Sequence, residues 1–136
     1  MKNSVVASVI FYFKGERYAP SMTIDLDELM TKAGGIERLH HAIAIANRID
    51  AYSYEYEMMQ AEEPFFDQPQ GEAVAFCHDG EFDFEGYRSH WQELQVLEKV
   101  RPIALQHVGV ADLDSKPKLK AALIAAYLAG QSAQGN

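Results

Sequence analysis

Residues 73–85 read AVAFCHDGEFDFE, and how the two halves of this stretch pair decides the fold. Acids alternate with phenylalanines from Glu81 to Glu85, which is the period of a half-buried β-strand: Phe82 and Phe84 inward, Glu81, Asp83 and Glu85 outward. Asp79-Gly80 invites a two-residue hairpin loop, which would pair Cys77 with Phe82. That register puts Val74 and Phe76 on one face with Asp83 and Glu85. A slip of one residue inverts every side chain, so mixing apolar and acidic residues on a face is costly. The spacing therefore predicts a three-residue loop, His78-Asp79-Gly80, with Gly80 left-handed. Phe76 then faces Phe82, Val74 faces Phe84, and Cys77 lies opposite Glu81.

The same alternation recurs upstream in YSYEYE, residues 52–57. As a strand it sets Tyr52, Tyr54, Tyr56 and Met58 on one face. As a helix, Ile45, Ile49, Tyr52, Tyr56 and Met59 form a stripe. Tyrosine density and the length a single helix from 36 to 63 would need favour the strand. Gln60 to Glu72, with Pro64 and Pro69, reads as a loop in which Phe65-Phe66 either folds back as a plug or forms an exposed patch.

Toward the N-terminus, Val5 to Lys14 is apolar at both parities, as in a strand central to its sheet. Gly15 to Pro20 turns the chain, and Met22, Ile24 and Leu26 mark an amphipathic partner strand. Asp25 and Glu28 suit the start of a short helix ending at Gly34-Gly35. Ile36, Leu39, Ile43 and Ala46 follow a helical period up to Ile49. Toward the C-terminus, Ser89 and Gln92 resemble a capping box, with Trp91, Leu94 and Leu97 as an inward stripe and Trp91 in the core; Pro102 is expected to stop this helix. Ile103 to Val110 reads as a short strand. Pro117 opens a last helix, and Gly130 suits its end. The expected architecture is an α+β two-layer sandwich. Its mostly antiparallel sheet has about five strands packed by helices, in the order ββαβββα(β)α. Residues 1–130 are expected to form a single domain, and residues 131–136 a disordered tail.

Composition limits partners and compartment. Residues 50–98 carry thirteen Asp and Glu against one cation, Arg88, in a chain of net charge −8. Nucleic-acid affinity rests on cations that neutralise phosphates, and the largest basic cluster is Lys116, Lys118 and Lys120. Nucleic acid is not an expected partner, and neither is an anionic membrane surface. No apolar run has the length of a bilayer span. The N-terminal apolar run is β-branched and aromatic, followed by Lys14, Glu16 and Arg17, and reads as a strand rather than a secretory signal. Cys77, the single cysteine, has no internal disulfide partner, so the expected location is cytoplasmic.

Four groups of residues are candidates for chemistry or binding. Cys77 beside His78 suggests a nucleophile and base. The predicted register surrounds the thiol with Glu81 and Asp83, which opposes the thiolate, and no oxyanion motif accompanies it. A small-molecule ligand is possible in a pocket lined by Tyr52, Tyr54 and Tyr56 with His40 and His41 nearby; these histidines are adjacent on a helix, so at most one faces the core. His78, Asp79, Glu81 and Asp83 are the candidate metal ligands, although alternate strand residues lie about 6.5–7 Å apart, wide for sharing one ion. Residues 121–129, AALIAAYLA, are apolar on every side. Such a helix must be covered all round, which predicts a homodimer or other homo-oligomer through Leu123, Ile124, Tyr127 and Leu128. The lysines at 116, 118 and 120 are expected to meet acid from the 50–98 segment. No motif names a cofactor. The leading expectation is a non-enzymatic, self-associating binding or interaction module. The alternatives are a small-molecule-binding domain or enzyme using the tyrosines, and a divalent-cation protein using the acidic hairpin.

Overall fold

The computed structural model describes residues 2–32 and 38–134, and its backbone falls into two compact units, Met1–Tyr87 and Arg88–Asn136. The fold is α+β with antiparallel strand pairing.

In the first unit, β1 (Ser4–Ser8) is the centre of a three-stranded sheet, as its apolar residues at both parities predict. One neighbour is β4 (Ser21–Asp25), in a register that sets Val5 against Ile24 and Ala7 against Met22. The other is β5 (Phe65–Gln70), with a register shift between Ser4 and Val6. Between β1 and β4 the chain forms a separate ribbon of β2 (Phe11–Phe13) and β3 (Glu16–Tyr18). The expected continuous strand from Val5 to Lys14 is thus broken at Val9-Ile10. The expected turn at Gly15 to Pro20 is largely strand, because Lys14 and Gly15 both adopt positive φ and close a two-residue turn. Val5, Ala7, Val9, Phe11, Ile24 and Leu26 are buried together in this unit's core.

Asp25 caps α1 (Leu26–Thr31) as predicted: its carboxylate accepts the amides of Asp27 and Glu28. The predicted end of that helix at Gly34-Gly35 and the Ile36 start of the next lie outside the described residues. α2 (Leu39–Ala46) buries Ile43 and Ala44, and Ala46 of the predicted stripe is exposed.

Residues 51–59 are a correction. α3 (Tyr54–Gln60) is a helix, begun by Ser53, whose hydroxyl accepts the Tyr56 amide at 3.2 Å. It buries Tyr56 and Met59, three apart, which is the helical stripe rather than the strand face. The expected loop at 60–72 is also corrected, because it contains β5. Phe66 enters the core and Phe65 is half-buried; Pro69 is tolerated because β5 is a sheet edge.

The hairpin register is the third correction. Cys77 pairs with Phe82 and His78 with Glu81 across Asp79-Gly80, both at positive φ. The conflict that argued against this register does not arise, because β6 (Cys77–His78) and β7 (Glu81–Phe82) are two residues each. Residues Gly71–Phe76 form a 3₁₀ helix, and α4 (Phe84–Val108) begins immediately after Asp83. Among the described residues the expected antiparallel strand pairing is divided between one three-stranded sheet and two two-stranded ribbons.

The second unit is helical. α4 starts five residues before the predicted capping box, and Asp83 Oδ1 accepts the Gly86 amide at 2.9 Å. It runs through Pro102, so neither the predicted stop nor the short strand at Ile103 to Val110 occurs. The reason is tertiary. Val96, Val100 and Ala104, spaced four apart, pack with Leu97 and Leu113 in one core cluster, and stopping at Pro102 would withdraw Ala104. Trp91 is half-buried and outside this cluster. Gly109, at φ +75°, ends the helix. A 3₁₀ turn (Leu113–Ser115) leads into α5 (Pro117–Gln134), which passes Gly130 and includes residues 131–134 of the expected tail; residues 135–136 lie outside the described residues.

Candidate functional site

The predicted tyrosine pocket divides. Tyr52 is 98% exposed and Tyr54 74%, while Tyr56 is 8% exposed, so the three share no face. Tyr52 precedes α3, and within the helix alternate positions such as Tyr54 and Tyr56 point to different sides of the axis. Tyr56 does meet both predicted histidines. With His40, His41, Arg38 and Gln60 it lines a polar cleft of about 260 Å³. His41 stands edge-on to the Tyr56 ring at 6.4 Å between centroids. His40 Nε2 donates to the Glu62 carbonyl at 2.8 Å, which fixes the proton on that nitrogen because a carbonyl only accepts.

His40 also lines a larger open groove of about 640 Å³. Its lining carries the acids Glu63, Glu81, Asp83 and Glu85. Its apolar lining comes from Leu39, Pro64 and the Phe66, Phe82 and Phe84 rings. Those rings form one aromatic cluster: Phe82 and Phe84 are 4.6 Å apart in an edge arrangement, and Phe66 and Phe84 5.3 Å apart. The lining is tied together, because the Phe66 amide donates to the Gly80 carbonyl at 2.8 Å and the Asp83 amide to the Phe76 carbonyl at 2.9 Å. Neither the groove nor Arg38 and Gln60 of the cleft is legible from the strand reading. The signal that reveals them is Ser53 three residues before Tyr56 and Asp83 three before Gly86, two helix starts hidden in alternating acid.

The predicted metal ligands do not converge. His78 Nε2 donates to the Ala75 carbonyl at 2.9 Å, Asp79 forms the turn and Asp83 caps α4. Among the described residues no group of three or more His, Cys, Asp or Glu is arranged to hold a metal ion. Cys77 Sγ lies 3.6 Å from the Phe66 carbonyl. Burial first, and then the charge of Asp67, pushes its thiol pKa up, which opposes a nucleophilic role; the acid responsible is Asp67 rather than Glu81 or Asp83.

In the second unit Leu123, Ile124 and Tyr127 are half-buried against the core cluster, whereas Leu128 is 41% exposed. Lys120 pairs with Asp114 at 2.9 Å and Arg101 with the same carboxylate at 3.5 Å, so its acid comes from the adjoining turn and not from residues 50–98. No described helix is long and apolar enough to cross a membrane. The chain matches no family model, no curated protein and no solved structure.

Proposed function

We propose that the protein is a non-enzymatic, self-associating interaction module whose copies meet along α5. The observation that carries this reading is the outward side of that helix. Leu119, Leu123, Ile124 and Tyr127 serve the unit's own core. Ala121, Ala122, Ala125, Ala126, Leu128 and Ala129 remain exposed, and residues 121–134 contain no charged side chain. A solvated helix face normally carries charge, and a continuous uncharged face of small residues lets a second helix approach closely. A twofold pairing of α5 with α5 satisfies every copy with one self-complementary patch. The free Cys77 and the acidic balance fit a reducing, cytoplasmic setting without nucleic-acid or membrane partners.

Mass measurement in solution tests the reading. A dimer or higher oligomer at micromolar concentration that becomes monomeric in Ala125→Glu with Leu128→Glu, with helicity retained, supports it. A monomer in both low and high salt removes it.

A second reading, a small-molecule site at His40, His41 and Tyr56, is favoured by the cleft that gathers them with Arg38. At about 260 Å³ the cleft falls below the roughly 300–1,000 Å³ usual for ligand pockets, which places this reading second. Titration with small carboxylates and phosphates, followed through His40 and His41 ring resonances, tests it; unchanged resonances at millimolar ligand would end it.

A further inference from the structure

We infer that the acid-lined groove of the first unit binds an extended, arginine-containing segment of a partner protein. This surface is separate from α5 and does not depend on self-association.

The lining supplies four carboxylates, and among the described residues Glu63, Glu81 and Glu85 form no ion pair. The lining holds no lysine or arginine, and its one imidazole, His40, is hydrogen-bonded to the Glu62 carbonyl. The occupant must therefore bring positive charge. A metal ion does not answer, because among the described residues no three or more His, Cys, Asp or Glu are grouped to hold one. A broad cation does. Guanidinium is planar, pairs with a carboxylate through two parallel N–H bonds and stacks on aromatic faces. The half-exposed Phe84 ring, backed by Phe82 and Phe66, offers such a face within the same lining.

The form of the groove selects a chain segment over a free small cation. It is open rather than enclosed, so an occupant keeps part of its surface in solvent. Leu39 and Pro64 in its lining offer apolar contact to an aliphatic side chain beside the arginine. The hydrogen bonds from Phe66 to Gly80 and from Asp83 to Phe76 hold the lining in place before binding, so little ordering cost falls on the protein.

The test is fluorescence-anisotropy titration of the full chain with a labelled peptide, GSRLRSG, beside GSKLKSG and GSELESG. Saturable binding of the arginine peptide is expected, weaker for lysine and absent for glutamate. Glu81→Gln with Glu85→Gln, which keeps side-chain shape, should weaken it by about tenfold or more and flatten its salt dependence. Phe84→Leu should weaken the arginine peptide more than the lysine peptide. Equal affinity for all three peptides, or binding unchanged in the Gln double variant, overturns the inference. So does full competition by free arginine at the peptide's own concentration, which would mark a small-cation site. Because this readout does not use oligomeric state, its failure is distinguishable from that of the α5 interface.

Discussion

Asn3 Nδ2 lies 3.1 Å from both carboxylate oxygens of Asp27, twenty-four residues along the chain. The other end of the same side chain, Oδ1, accepts the Glu72 amide at 2.9 Å, and the Asn3 carbonyl accepts the Leu26 amide at 3.0 Å. One buried amide thus fastens the first strand to α1 and to the 3₁₀ turn after β5. Asn3→Ala strands the Glu72 amide and one face of Asp27. A loss of about 1–3 kcal/mol is expected in denaturant unfolding. A change below about 0.5 kcal/mol, the usual size of a surface effect, would show that the clamp contributes nothing.

Tyr87 is 1% exposed, and its phenol is pushed up to about 12, by burial first and then by the charges of Asp27, Glu72 and Asp25. A folded-state pKa raised above the unfolded value means stability that is complete below the unfolded pKa, near 10, and is lost as pH rises through the folded one. Thermal midpoints of the wild type should therefore fall between about pH 10 and 12 more steeply than those of Tyr87→Phe, which keeps the edge contact with Phe76. Parallel curves for the two proteins would count against this.

Pro102 sits inside α4 and leaves the Glu98 carbonyl without its helical partner. Its side chain is exposed, so nothing in the core needs it. Pro102→Ala should stabilise the second unit by up to about 3 kcal/mol, read as a higher thermal midpoint. A lower midpoint would mean that the proline performs a packing or geometric role.

Asp114 receives Lys120 and Arg101, and the Lys120 hydrogen bond leads in holding its carboxyl below the ordinary range. A depressed pKa stabilises above the unfolded value and is lost as pH falls. Asp114→Asn should cost a small amount of stability at neutral pH and nothing once the wild-type carboxyl is protonated. The difference should shrink in high salt, since the cluster is exposed. Wild-type and variant midpoints that differ equally at acid and neutral pH would contradict the assignment.

The central strand, its antiparallel partner at Ser21–Asp25 and the Asp25 cap are legible in the sequence, because period two and a capping side chain are local signals. The acid–aromatic stretches are not. In 52–57 and 81–85 every second residue is aromatic, which mimics a strand, but only Tyr56 in the first and Phe82 in the second are buried. Exposed Tyr52 and Tyr54 make the alternation uninformative there. Pro102 misleads in the opposite direction, since burial of Ala104 beyond it outweighs a local breaker. Of the candidate site, His40, His41 and Tyr56 do come together, whereas the groove depends on Phe66 and Phe82 meeting across β5 and the hairpin, a contact no local pattern encodes.

Asp83 closes the β6–β7 hairpin with its backbone amide and opens α4 with its carboxylate, so no spare residue separates ribbon from helix. A single inserted residue after Asp83 would turn Phe84 and Tyr87 by about 100° away from Phe66, Phe76 and Phe82. The tip at Lys14-Gly15, where a side chain on Gly15 would meet nothing within 4 Å, has no such constraint. Length variation among descendants of this chain should therefore accumulate at the Lys14-Gly15 tip and be purged at Asp83.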